Sequence, residues 1–142
     1  MQTNIILRKQ PHPPHFITRP HYAAARAIIA AAADLLNLTT HCGSIPACFC
    51  LSCDGASRDY AILHRLARAC DDAANRDSAR GPDIYELLAV GSDLSERIDR
   101  LGYSEPGQFE MRTAFLLIES AAIALGYPQD WVHGNMRISE NQ

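Results

Sequence analysis

The sequence predicts an all-α protein, a small single-domain bundle of four main helices with a Pro-rich N-terminal arm and a Cys-rich connection between helices 1 and 2. Three observations carry this. Apolar residues recur at helical spacing in four long stretches. Pro11, Pro13, Pro14 and Pro20 deny helix to the opening twenty residues. Glycines stand where helices should stop, in Leu101-Gly102-Tyr103 and again in Leu125-Gly126-Tyr127. The divisions that follow are an extended arm over 1–19, a helical domain over 20–134 and a frayed tail over 135–142.

The first helix should open near Thr18, a good cap, with Pro20 accommodated in its first turn. It should run to about Leu38, with Tyr22, Ala25, Ile28, Ile29, Ala32, Leu35 and Leu36 on one face. The second should begin with Ser57 as cap and Asp59 in the first turn, where the helix dipole favours negative charge. Tyr60, Leu63, Leu66, Ala67, Cys70 and Ala74 form its apolar face, and it should fray after Asn75.

Pro82 opens the third helix, whose stripe of Ile84, Leu87, Leu88, Gly91, Leu94, Ile98 and Leu101 continues across Gly91-Ser92. Either one helix tolerates the glycine, at about 1 kcal/mol, or Ser92 caps a second, shorter helix. A glycine on the apolar side also permits close helix contact. The fourth helix should be capped by Ser104 with Pro106 in its first turn. Phe109, Ala114, Phe115, Leu117, Ile118, Ala121, Ala122 and Leu125 surround much of its circumference, so it should be the central helix. Asp130 to His133 should form one turn that brings Trp131 over the end of the bundle.

The chain has 142 residues, enough for one domain with a sizeable core and no need of a metal or disulfide to fold. It is 47% hydrophobic and 20% charged, ordinary for a globular protein. A net charge of −3 argues against binding to nucleic acid by bulk charge. Lys9 is the sole lysine, and the arginines spread from Arg8 to Arg137, a pattern of coding bias more than of a forked anion site. No stretch approaches the roughly 20 apolar residues that span a bilayer. Ile5-Ile6-Leu7 is too short for a signal core, so the expected location is cytoplasmic, where thiols stay reduced.

Four of the five cysteines fall within twelve residues, Cys42, Cys48, Cys50 and Cys53, with His41 beside the first. As a metal set they would hold zinc in a thiolate tetrahedron. Only Cys50 and Cys53 form a C-x2-C pair, so two or three of them with His12, His15 or His21 would make a less strained site. As structural residues they are small hydrophobes among Ile45, Ala47, Phe49 and Leu51, the reading the sequence favours. An odd cysteine count in a reducing compartment weighs against disulfides. Cys70 and His64 lie on one helix six residues apart and project in different directions, so they form no dyad.

Helices 2 and 3 are rich in carboxylates. Asp71, Asp72, Asp83, Glu86, Asp93 and Glu96 are the candidate partner-binding residues for a basic surface. The bland alternative is a solvated face with interspersed arginines such as Arg97 and Arg100. Arg58, Arg65, Arg76 and Arg80 follow one another on helix 2, but no aromatic platform accompanies them and Asp72 lies close by, so direct nucleic-acid binding is not expected. Phosphate loops, Gly-x-Gly-x2-Gly and Gly-x-Ser-x-Gly patterns are missing from the sequence.

The function expected is a non-enzymatic protein–protein interaction module: an adaptor, an assembly subunit or an inhibitor. A phage or mobile-element inhibitor that covers a basic site on a host nucleic-acid machine is one form of it. The alternative is a zinc-stabilised binding module built on Cys42, Cys48, Cys50 and Cys53. No cofactor beyond that zinc and no membrane partner is expected. A hydrolase or transferase using His64 or His133 with a carboxylate is a third, weaker class.

Overall fold

In a computed structural model the described residues are 18–37, 56–76, 80–100 and 107–136. They form five helices and no strand: α1 Arg19–Asn37, α2 Ala56–Asn75, α3 Ile84–Arg100, α4 Gln108–Ala124 and α5 Gln129–Met136. The Pro-rich arm up to residue 17 and the cysteine segment lie outside the described residues.

α1 starts where the sequence places it, but its cap differs in detail. The Thr18 hydroxyl lies 2.8 Å from His21 Nδ1, and the Thr18 backbone N–H donates to the same nitrogen at 3.2 Å. His21 thus takes the part that Glu plays in a capping box. Ala25, Ile29, Ala32, Ala33 and Leu36 are buried along its inner face. α2 begins at Ala56, so Ser57 lies inside the first turn and is not the cap. It ends at Asn75, whose amide donates to the Asp71 carbonyl at 2.8 Å.

α3 is one continuous helix through Gly91 and Ser92. The glycine is there for contact. A Cβ at Gly91 would meet Met136 Cε at 2.5 Å and Cγ at 3.0 Å. Ser92 Oγ donates to the Asn135 carbonyl at 3.0 Å, fixing the same two helices side by side.

α4 begins later than the sequence suggests. Gly107 adopts φ 87°, a left-handed conformation, and the helix starts at Gln108; Ser104 and Pro106, expected at its opening, lie outside the described residues. Its end follows the glycine rule. Gly126 has φ 93°, Tyr127 N–H donates to Ala122 O at 3.3 Å and Gly126 N–H to Ile123 O at 2.8 Å, the paired bonds of a Schellman stop. α5 then runs to Met136, into the span expected as a frayed tail, with Val132 and Met136 buried. Trp131 stacks on Tyr127 (centroids 5.6 Å apart) and meets Tyr85 edge-on (6.3 Å).

The packing makes a ring. α1 lies between α2 and α4 and makes the broadest contacts of the fold with each. α4 also packs on α3 and α5, and α2 meets α3 through a much sparser contact. Ile29, Leu36, Leu63, Leu87, Leu94, Met111 and Ile118 fill the middle. α4 is therefore one wall of the ring and not an enclosed hub. Met111, Ala114, Phe115, Ile118, Ala121 and Ala122 face inward, while Phe109, expected in the core, points to solvent.

Gly91→Ala should lower stability although alanine is the better helix former, because an overpacked contact costs about 1–3 kcal/mol against a helical gain near 1 kcal/mol. In a Met136→Ala background the same change should become stabilising. Urea unfolding of the four proteins in this cycle checks the reversal of sign.

Candidate functional site

The six carboxylates expected to receive a basic partner mostly meet arginines of their own chain. Asp71 pairs with Arg26 of α1 at 3.3 Å and Asp72 with Arg76 one turn on at 3.5 Å. Glu86 takes a forked pair of bonds from Arg65, 2.9 and 2.7 Å, which holds its carboxyl below the ordinary range. Asp93 meets Arg97 at 2.8 Å and Arg58 at 3.5 Å, and Glu96 meets Arg100 at 2.6 Å. Asp83 works locally, accepting the Tyr85 N–H at 2.9 Å in the turn before α3. Glu86 and Asp93 thus belong to the α2–α3 seam, whereas Asp71 turns towards α1 and Glu96 pairs within α3. The face is a mosaic of both signs.

Cys42, Cys48, Cys50 and Cys53 lie outside the described residues, so the zinc site stands on the sequence alone. No group of three or more His, Cys, Asp or Glu positioned for a metal occurs among the described residues. Cys70 is fully buried, and burial pushes its thiol up to about 12. It is a core residue and no nucleophile at neutral pH. His133 Nδ1 lies 2.8 Å from Glu119 Oε2, which ties α5 to α4. His64 stands exposed, its ring 5.9 Å from Tyr60. Both line a groove of about 210 Å³ between α1 and α2, where Arg26 and Arg68 alternate with Asp34 and Asp71. That mixed lining favours neither an anion nor a cation.

Two features escaped the sequence reading. The first is a buried charge cluster. Asp59 is 2% exposed and Arg97 6%. Arg97 Nη1 donates to Asp59 Oδ2 at 2.7 Å and to Asp93 Oδ2 at 2.8 Å, its Nη2 lies 3.8 Å from Met111 Sδ, and its Nε has no hydrogen-bond partner among the described residues. Asp59 is thus no simple helix-dipole residue, and Arg97 no solvated one. Burial first, then the hydrogen bond and charge of Asp93, push the Asp59 carboxyl up to about 8, against the pull of Arg97 and Arg58. Burial works to raise Asp93 as well. There the bond from Asp59 and the two arginines outweigh it and hold that carboxyl below its ordinary range. The pair therefore shares one proton at neutral pH, leaving one negative charge beside Arg97. A signal was present: Arg97 follows Val90 by seven residues and Leu94 by three, and Asp59 precedes Leu63 by four and Leu66 by seven. Both lie in apolar register on their helices.

The second is an apolar stripe. Phe109 is 74% exposed, Leu116 55% and Ile123 39%. They recur every seven residues on α4, so at 100° per residue they stay within about 20° of one line. Arg112 and Ser120 share that outward strip, and Thr113 and Glu119 edge it.

The cluster predicts a pH dependence of stability. Asp59 is raised in the folded state, so its contribution is complete below the ordinary carboxyl pKa of about 4 and drains away as pH climbs through about 8. Asp93 is lowered, so its contribution is lost on the acid side. Tm should peak at mildly acidic pH and decline by several degrees towards pH about 8.5, and Asp59→Asn should flatten that alkaline limb. Thermal melts across the range measure it.

Set against known protein families, curated proteins and solved structures, the chain matches none of them.

Proposed function

We propose that this protein is a non-enzymatic protein–protein interaction module that docks through the outer face of α4. The observation that carries this reading is the line of Phe109, Leu116 and Ile123. Single exposed apolar residues are normal on any protein surface. Three large ones in register, extending about 21 Å along one helix, are a seam of the kind that another helix covers. Together they offer on the order of 300 Å² of apolar surface, the size at which a patch on a soluble protein tends to be functional.

The carboxylate face is the weaker candidate. A basic partner there would have to compete with Arg26, Arg58, Arg65, Arg76 and Arg100 for groups already paired. Exposed pairs of this kind contribute roughly 0–1 kcal/mol each, so the competition is possible but yields little. Covering the α4 stripe removes apolar surface from water.

A photo-crosslinking amino acid placed at Leu116 should give a discrete covalent adduct in cells that express the protein. The same group at Ala89, exposed on α3, should give none. An unmodified chain at both positions would count against the reading.

A further inference from the structure

The stripe carries charge information that names its occupant. Viewed from outside, one flank of the Phe109–Leu116–Ile123 line holds Arg112 towards the N-terminal end and Glu119 towards the C-terminal end. The other flank holds Thr113 and Ser120 at the matching levels. We propose that the occupant is a second copy of this chain, docked by a two-fold axis at Leu116 so that two α4 helices lie antiparallel.

This arrangement follows from position along the helix. A two-fold axis perpendicular to the plane of the two helices reverses the level of each residue about Leu116 and keeps each flank facing its own kind. Phe109 then packs on the partner's Ile123, and Leu116 packs on the partner's Leu116. Arg112 lies four residues before the axis and the partner's Glu119 three residues from it, on the same flank, so the two meet. The symmetry makes that ion pair twice. On the opposite flank Thr113 meets the partner's Ser120. A parallel dimer would instead set Arg112 beside the partner's Thr113 and leave no opposite charge in reach. Glu119 has Oε2 on His133, which leaves Oε1 to accept from across the interface. Its side chain is only 15% exposed, so the incoming guanidinium meets a carboxylate already held in place.

The inference rests on α4 being a docking surface, and it adds the partner and the direction. A standard interface buries about 800 Å² on each side. The stripe with its flanks is smaller, so association should be micromolar and visible as concentration-dependent mass.

Sedimentation equilibrium on the full chain from about 1 μM to about 500 μM should show the mass rising from one chain to two. Leu116→Arg should weaken the dimer at least tenfold with unchanged helical circular dichroism, since Leu116 is on the surface of the single chain. Arg112→Glu alone and Glu119→Arg alone should each weaken self-association by setting like charges face to face. Mixing these two variants should restore it, because every flank pair then joins Glu to Arg. A chain that stays monomeric throughout overturns the proposal, as does a dimer indifferent to Leu116→Arg. A dimer that ignores the charge variants, or fails to recover on mixing, overturns the antiparallel register. If the Leu116 adduct has the mass of a foreign protein while the purified chain is monomeric, self-association falls and the docking reading stands. If no adduct forms at all, the docking reading falls with it.

Discussion

The ring of helices closes on a charge. Three of its edges, α1 with α2, α1 with α4 and α3 with α4, are made by extensive helix packing, but α2 and α3 touch far less. Across that sparse edge the buried Arg97 reaches Asp59 at 2.7 Å, and Arg65 and Arg58 reach Glu86 and Asp93 nearer the surface. Apolar packing tolerates sliding, because one methyl contact resembles the next. A buried guanidinium does not, since a shift of one residue would leave the desolvated charge of Arg97 unmatched, at a cost of several kcal/mol. The position of α3, and with it that of α5, is therefore tied to where α2 offers Asp59.

The cluster holds three ionisable groups in little space, and its composition keeps it close to neutral. With one proton between the two carboxyls, Arg97 faces a single negative charge. Its Nε makes no hydrogen bond among the described residues. An unsatisfied buried donor costs roughly 1–3 kcal/mol, so the geometry reached is good at the two carboxylates and incomplete behind them.

Much of the fold is legible in the sequence because helix signals are local. The stop at Leu125-Gly126-Tyr127, the opening near Thr18 and the inner faces of α1 and α2 each depend on residues a few positions apart. What escaped depends on distant partners. Asp59 in a first turn looks like a dipole residue until Arg97, 38 positions away, is placed against it. The outer face of α4 misleads for another reason. Phe109, Leu116 and Ile123 make the helix apolar all round, which ordinarily signals enclosure, yet its main contacts among the described residues are with α1, α3 and α5, and these three side chains stay exposed. Gly107 reads as an ordinary helix residue until its positive φ is known. The candidate site was the least legible part. The carboxylates can be read from the sequence, but the arginines paired with them come from other turns and other helices.

Cys70 sits at zero exposure on the inner side of α2, packed with the core that α1 helps to form. Its thiol is shielded from water and kept in the unreactive, protonated form. An alkylating reagent can reach it only when α2 parts from its neighbours. The rate at which the peptide bearing Cys70 gains mass is therefore a clock for opening of the folded chain, built into the protein with no foreign label.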